Sequence, residues 1–392
     1  MQQMQLLHTL LEKSHAIGHA SRRASLLSAV GSVINGANLS LTSMGRYMDK
    51  EIKPRSKIHA MDYLLSNGQL HAEIPAIFRT QAKYLCGQTD TLNISVDWSG
   101  LVAHKYHLLR ASIDMKGNAM TLYEEIHPES KLGNAAVQGN FLKHLANIIP
   151  NDKKVCIITD AGFGIGFFKQ VEKLGWDYLG RLLTNMYLHL TKETDWIPCK
   201  SLYERGTSKA KKVGKAKLSK KHEFDSILYL NKKQRLNQKT KTKNKRKVKF
   251  GAKEKNYKNT AQQPWLIATS LDRPGNEIMR LYALRMKIEH DFRDTKDPVH
   301  GLGLRRSRSV EPMRLAIQLM IGNLARLVLW LTGLCLEEKN LHYDFQANSL
   351  KNKRVLSLIF LALEAIRSGY MRFLHKKDFA TLEIANLVCE SG

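Results

Sequence analysis

From residue 1 to about 85 the apolar positions recur at helical spacing in short stretches. Residues 25–34 and 40–48 are predicted helices, the second following the cap-like Asn38. Residues 57–65 form a third, with Ile58, Met61, Leu64 and Leu65 at apolar spacing. From about residue 90 the pattern becomes alternating. NISVDW predicts a short strand with Ile94 and Val96 on one face and Asp97 on the other. Strands follow over 105–113 and 118–126, then a helix over 135–149 and the apolar strand VCIIT, which ends at Asp160. A short helix (167–174) and a strand (178–182) come next. Three strands, helix, strand, helix, strand is the order of a ribonuclease H-like α/β core, in which carboxylates sit at or near the centres and ends of neighbouring strands.

Residues 186–262 read as an insertion, with strand-like pieces at 186–190 and 226–230 and two lysine-dense runs, KAKKVGKAKLSKK and KKQRLNQKTKTKNKRKVK. Like charges at that density repel and stay solvated, so both runs are expected to be mobile unless DNA neutralises them. A strand over 264–270 leads to a helix through LYALRMKIEHDFRDTK. The turn GLGLRRSRS follows, and the remainder is mostly helical. The expected organisation is a helical DNA-binding domain (1–85) and the first part of the core (86–185). A basic β-rich insertion (186–262), the second part of the core with its functional helix (263–310) and a helical C-terminal region (311–392) complete it. The most apolar stretch, 315–336, is interrupted by Gln318, Asn323 and Arg326, which predicts a buried helix rather than a membrane span.

Charge narrows the choice of partner. The 392 residues include 62 Lys and Arg against 35 Asp and Glu, a net charge of +27. That excess favours DNA or RNA as partner, since plain solubility is better served by acidic residues. Arg46, Lys53, Arg55 and Lys57 surround the junction of two short predicted helices, suggesting a helix-turn-helix-like DNA reader; a plain bundle with a basic rim is the alternative. The five cysteines are scattered, which fits reduced thiols and offers no zinc site. The N-terminus lacks the basic and long apolar segments of a signal peptide, so a cytoplasmic, nucleoid-associated bacterial protein is expected, with no membrane partner.

Within LYALRMKIEHDFRDTK, the residues Tyr282, Arg285, Glu289 and Lys296 fall at about 0°, −60°, −20° and −40° around a helix. A stripe of phenol, guanidinium, carboxylate and ammonium suits a metal ion and a phosphate better than it suits apolar packing. Asp97 and Asp160 would complete a carboxylate set with Glu289, and hard oxygen ligands select magnesium or manganese over zinc. Two such ions about 3.5–4 Å apart can activate an attacking oxygen and neutralise charge on phosphorus. Lys296 would hold a phosphate as a point charge, Arg285 would clamp another, and Tyr282 would donate its hydroxyl. The bland alternative is an i,i+4 Arg285–Glu289 ion pair on a surface helix.

Tyr, two residues, Arg, three residues, Glu, six residues, Lys is the signature of the insertion sequence four family of bacterial cut-and-paste transposases. The chain resembles the branch that contains the insertion sequence ten (transposon ten) transposase. The likeness extends through VDWS, LLRASI, TLYEE, TDAGFG, VEKLGW, PWLIATS and GLGLRRSRS. It implies a catalytic, metal-binding triad of Asp97, Asp160 and Glu289, with two Mg2+ ions for which Mn2+ can substitute. It also implies hydrolysis at the transposon end, a hairpin intermediate and joining of the freed 3′ ends to target DNA. Tyr282, Arg285 and Lys296 would touch phosphates, and Trp265 would stack on a flipped base. Arg293, Arg305, Arg306 and Arg308 are further candidate DNA contacts. Implied partners are double-stranded DNA (terminal inverted repeats and target), a second copy of the chain in a homodimeric synaptic complex, and host DNA-bending proteins. Met286 stands where some relatives place a tryptophan. A ribonuclease H-like nuclease without strand transfer and a non-catalytic, domesticated DNA-binding protein are the alternatives.

Overall fold

The computed structural model describes residues 2–101, 105–191, 193–232, 263–347, 349–350, 353–380, 382 and 384–388. The second lysine run, from residue 233 on, lies outside them. The chain divides into two compact units, one formed by residues 1–155 with the C-terminal part from Arg285, the other by Cys156–Leu284.

In the first unit β1 (Thr91–Gly100), β2 (Tyr106–Met115) and β3 (Asn118–Pro128) form an antiparallel meander in the order β3-β2-β1. Gly117, at φ 75°, makes the tight β2–β3 turn, a conformation that costs glycine little. Register places Asp97 opposite Arg110, and Arg110 opposite Glu124, so a row of alternating charge crosses three strands. The helix Ala135–Ile148 is capped by Asn134, whose side chain accepts from the amides of Ala136 and Val137. It packs on β3 and on the helix Gly68–Cys86.

The centre of this unit is the long helix Pro312–Glu338, opened by a proline at its first turn. It is long and apolar enough to cross a membrane, but its most apolar window is wholly buried inside the protein. The helices Gln2–Lys13, Ala20–Gly36, Pro54–Leu65, Gly68–Cys86 and Leu358–Arg367 pack around it, as does β3. Each polar interruption in its sequence has buried partners. Gln318 donates to the Leu39 carbonyl and accepts from Ser307 Oγ at 3.0 Å, Asn323 donates to Gln81 at 3.0 Å, and Arg326 pairs with Asp291.

The N-terminal helices predicted at 25–34, 40–48 and 57–65 are Ala20–Gly36, Leu41–Arg46 and Pro54–Leu65. Asn38 Oδ1 accepts from Ser40 N at 2.8 Å, an Asx turn that leads into the second. Gly68–Cys86 is a further helix, continuous although it contains Pro75, a residue that reads as a helix breaker.

The second unit begins within β4 (Lys154–Thr159), whose residues from Cys156 on run parallel to β5 (Asp177–Arg181), joined through the helix Ile165–Lys173. The remaining strands are β6 (Tyr187–Leu190), β7 (Ile197–Pro198), β8 (Lys211–Leu218), β9 (Phe224–Asn231) and β10 (Trp265–Thr269). The order is β4-β5-β10-β9-β8-β6-β7. Ile158, Leu179, Tyr229, Ile267 and Ile278 share its core. The first lysine run is thus an ordered strand, not a mobile tether. Ala216 and Leu218 are buried while Lys215 and Lys217 alternate outward, and β8 is paired on both edges. Lys212–Asp272 (2.5 Å) and Lys217–Glu223 (2.9 Å) relieve part of the repulsion that argued for mobility.

Candidate active site

The single helix expected through Tyr282 and Lys296 is two, Gly275–Leu284 and Met286–Lys296, separated at Arg285. Arg285 keeps helical angles (φ −50°, ψ −32°), but Ile288 N reaches back to its carbonyl at 3.2 Å, so the second helix starts as a tightened turn. Tyr282 accordingly belongs to the second unit, and Arg285, Glu289 and Lys296 belong to the first.

On the first unit the front of the helix Met286–Lys296 meets β1. Asp97 and Ser99 project from the same side of that strand, two residues apart. Arg285 places one nitrogen 3.3 Å from Asp97 Oδ2 and another 3.1 Å from Glu289 Oε1. The bland i,i+4 ion pair therefore exists, but the same guanidinium also spans to Asp97 on β1. The Asp97 and Arg285 side chains are only 14% and 13% exposed, against 41% for Glu289. Asp97 is further fixed by the Trp98 amide, which donates to Oδ1 at 2.8 Å. At the far end of the helix Lys296 Nζ donates to Ser99 Oγ and the Gly100 carbonyl, both at 2.6 Å. Burial, then the charges of Arg110 and Arg305, push the Lys296 ammonium down to about 8.

The back of the helix meets a buried charge cluster to which the sequence reading assigned no role in the site. Asp291, Arg110 and Arg326 are wholly or almost wholly buried, and Glu124 is nearly so. Arg110 Nη1 lies 2.8 Å from Asp291 Oδ1, and Arg110 Nη2 lies 2.6 Å from Glu124 Oε2. Burial drives the Glu124 carboxyl up despite its pairing with Arg110. Burial opposes the charge on Arg110, yet Asp291 and Glu124 together hold its guanidinium above the ordinary value. The available signal was an arginine inside the apolar strand HLLRASI, since a charge buried there requires a partner.

In the second unit Asp160 directly follows β4, and its Oδ1 accepts from Gly162 N at 2.8 Å. A side chain at Gly162 would bring its Cβ to 3.0 Å from that oxygen. Trp265 opens β10 and is partly exposed. Its ring lies edge-on to Tyr282, with centroids 4.9 Å apart. Tyr282 itself is 3% exposed within the apolar core of this unit.

The other expected DNA contacts are on the surface. Arg293, Arg305, Arg306, Arg308, Arg46, Lys53 and Arg55 are exposed, and Lys57 is half-buried with Nζ on the Met48 carbonyl at 2.9 Å. Arg305 and Arg306 lie in the short turn Leu304–Arg306. Among the described residues no group of three or more His, Cys, Asp or Glu side chains is gathered closely enough to hold a metal ion. The candidate donors are nonetheless all carboxylates, a set suited to a hard divalent cation.

Residues 134–328 match the family described as transposase DDE domain. No curated protein matches the chain. The matched segment contains Asp160, Trp265, Tyr282, Arg285, Glu289 and Lys296, and Asp97 precedes it. The match supports a transposase of the DDE family, and the mixed α/β architecture is consistent with a ribonuclease H-like core.

Proposed function

We propose that this chain, with its transposase DDE domain, is a cut-and-paste DNA transposase of the insertion sequence four family, close to the insertion sequence ten branch. In this reading it binds the terminal inverted repeats of its element, excises the element through a hairpin intermediate and joins the 3′ ends to target DNA. The observation that carries the proposal is the clustering of Asp97, Arg285 and Glu289 on one side of β1, inside a chain with a DDE-family match. Asp97, Asp160 and Glu289 would hold divalent metal, magnesium in the cell. When bound, the metal would supply Lewis-acid activation of the attacking oxygen and neutralise charge on phosphorus.

The chain's own residues supply binding and orientation. Arg285 offers a planar fork that can exchange its carboxylate partners for a phosphate, and Lys296 offers a second cation one helix length away. Trp265, partly exposed with Tyr282 braced against its ring, can stack on an unpaired base. Arg293, Arg305, Arg306 and Arg308 would follow the DNA backbone. Arg46, Lys53, Arg55 and Lys57 would anchor the N-terminal helices on the terminal repeat. A homodimer pairing two transposon ends, assisted by host DNA-bending proteins, completes the reading.

The test is cleavage of a labelled duplex from the DNA flanking the coding sequence, with magnesium, by wild type and Glu289→Gln. Nicks and hairpins from wild type alone, with both proteins binding the duplex, are expected. Wild-type binding without cleavage would point instead to a non-catalytic DNA-binding protein.

A further inference from the structure

Asp291 is the most completely enclosed charged group on the helix Met286–Lys296. Its carboxylate is 0% exposed. It accepts hydrogen bonds from Arg110 Nη1 at 2.8 Å, Ser112 Oγ at 2.6 Å and Thr121 Oγ1 at 3.1 Å, and Arg326 closes on the same oxygen as Arg110. Arg110 also reaches Thr295 Oγ1 at 3.2 Å, one turn along the same helix. With Glu124, two guanidiniums and two carboxylates are buried together at zero net charge. The network joins three elements: the β2–β3 hairpin, the helix bearing Glu289, and the long helix that carries Arg326.

Its direction is informative. At about 100° per residue, Asp291 projects about 200° from Glu289, and Lys287 and Asp294 project about 160° and 140° from it. These too are fastened to the hairpin: Lys287 to Asp114 at 2.6 Å and Asp294 to Asn118 at 2.9 Å. The back of the helix is thus held by polar contacts, and its front presents Arg285, Glu289 and Lys296 to β1.

We propose that Asp291 is a positioning residue, whose buried carboxylate fixes the rotation and register of this helix so that Arg285 can span Glu289 and Asp97. The proposal rests on the reading of Asp97 and Glu289 as catalytic carboxylates. A buried ion pair is a poor source of net stability, since apolar residues of similar volume often serve as well. It is a good source of direction, because short hydrogen bonds arriving from the β2–β3 hairpin and the long helix are satisfied at one rotation only. A slip of one residue turns the helix by about 100° and carries Glu289 out of reach of the Arg285 bridge to Asp97.

The test pairs Asp291→Leu with Arg326→Met, which keeps the buried charge balanced because Arg110 and Glu124 still pair. Four quantities are compared with wild type: thermal unfolding, binding of the terminal-repeat duplex, Mn2+ affinity of the free protein by electron paramagnetic resonance, and single-turnover cleavage. Expected are melting and duplex binding close to wild type, with Mn2+ affinity and cleavage each reduced on the order of tenfold to a hundredfold. A double variant that folds, binds Mn2+ and cleaves as wild type would overturn the proposal. Should the double variant fail to fold, Ser112→Ala decides. It removes one bond to Asp291 without leaving a charge unpaired, and unchanged Mn2+ affinity and cleavage would overturn the proposal equally. A wild type that neither binds Mn2+ nor cleaves would overturn the catalytic reading together with this one, whereas an active wild type and an unaffected variant overturn positioning alone.

Discussion

Lys296 keeps an ammonium inside the protein, against Ser99 Oγ and the Gly100 carbonyl, with the Phe292 ring 5.2 Å away. Burial and the neighbouring arginines lower it from 10.5 to about 8. The folded-state value lies below the unfolded one, so the unfolded chain binds more protons between about 8 and 10.5 and stability rises with pH across that window. Below about pH 8 the full cost is present, up to about 3 kcal/mol from the size of the shift. The stability of wild type relative to Lys296→Met is therefore expected to rise with pH between about 8 and 10.5, and the variant is expected to lose DNA cleavage. Melting curves from pH 7 to 10.5 check this, and a pH-independent gap would refute it. Arg285 differs in kind, because its planar fork spans Asp97 and Glu289 with separate nitrogens. Arg285→Lys keeps the charge but cannot span both, and single-turnover cleavage is expected to fall at least about tenfold. At this scale the spacing of Arg285, Glu289 and Lys296 was legible because it is local and helical. Arg110 and Asp291 were not: they are 181 residues apart, and only folding pairs them.

Among the elements, the strand that carries Asp97 and the strand that leads into Asp160 follow from their own patterns, NISVDW and VCIIT, because alternation and an apolar run are local signals. The strand β8 did not, since seven lysines within thirteen residues outweighed the Ala216–Leu218 alternation that pairs it into the sheet. The break at Arg285 was likewise hidden, because nothing in the sequence forbids a continuous helix there. At the N-terminus the helices Leu41–Arg46 and Pro54–Leu65 approach so closely that a Cβ on Gly45 would lie 2.6 Å from the Ile58 backbone. Gly45→Ala must push these helices apart. We expect a loss of about 1–3 kcal/mol in stability and weaker binding of the terminal-repeat duplex, read by denaturant melts and gel shifts. Unchanged values for both would show that the close approach is dispensable.

For the molecule as a whole, a charge of +27 makes binding to DNA an electrostatic event. If the exposed cations of β8, of the Leu304–Arg306 turn and of the N-terminal helices meet phosphates, affinity should fall on the order of a thousandfold between about 50 and 200 mM salt. A flat response would remove those surfaces from the DNA path. Composition and element order conveyed a folded, basic α/β protein. They did not convey that residues 1–155 and the chain from Arg285 onward form one compact unit around the helix Pro312–Glu338, since such packing depends on contacts remote in sequence. The central claim is that Asp97, Asp160 and Glu289 serve one metal-dependent cleavage reaction. Its most direct test is cleavage of the terminal-repeat duplex by Asp97→Cys, Asp160→Cys and Glu289→Cys, in Mg2+ and in Mn2+. A thiolate is a poor ligand for magnesium and a better one for manganese. Each variant is predicted to bind the duplex, to be silent in Mg2+ and to regain cleavage in Mn2+. Any of the three cutting at the wild-type rate in Mg2+ would remove that residue from the site and contradict the account.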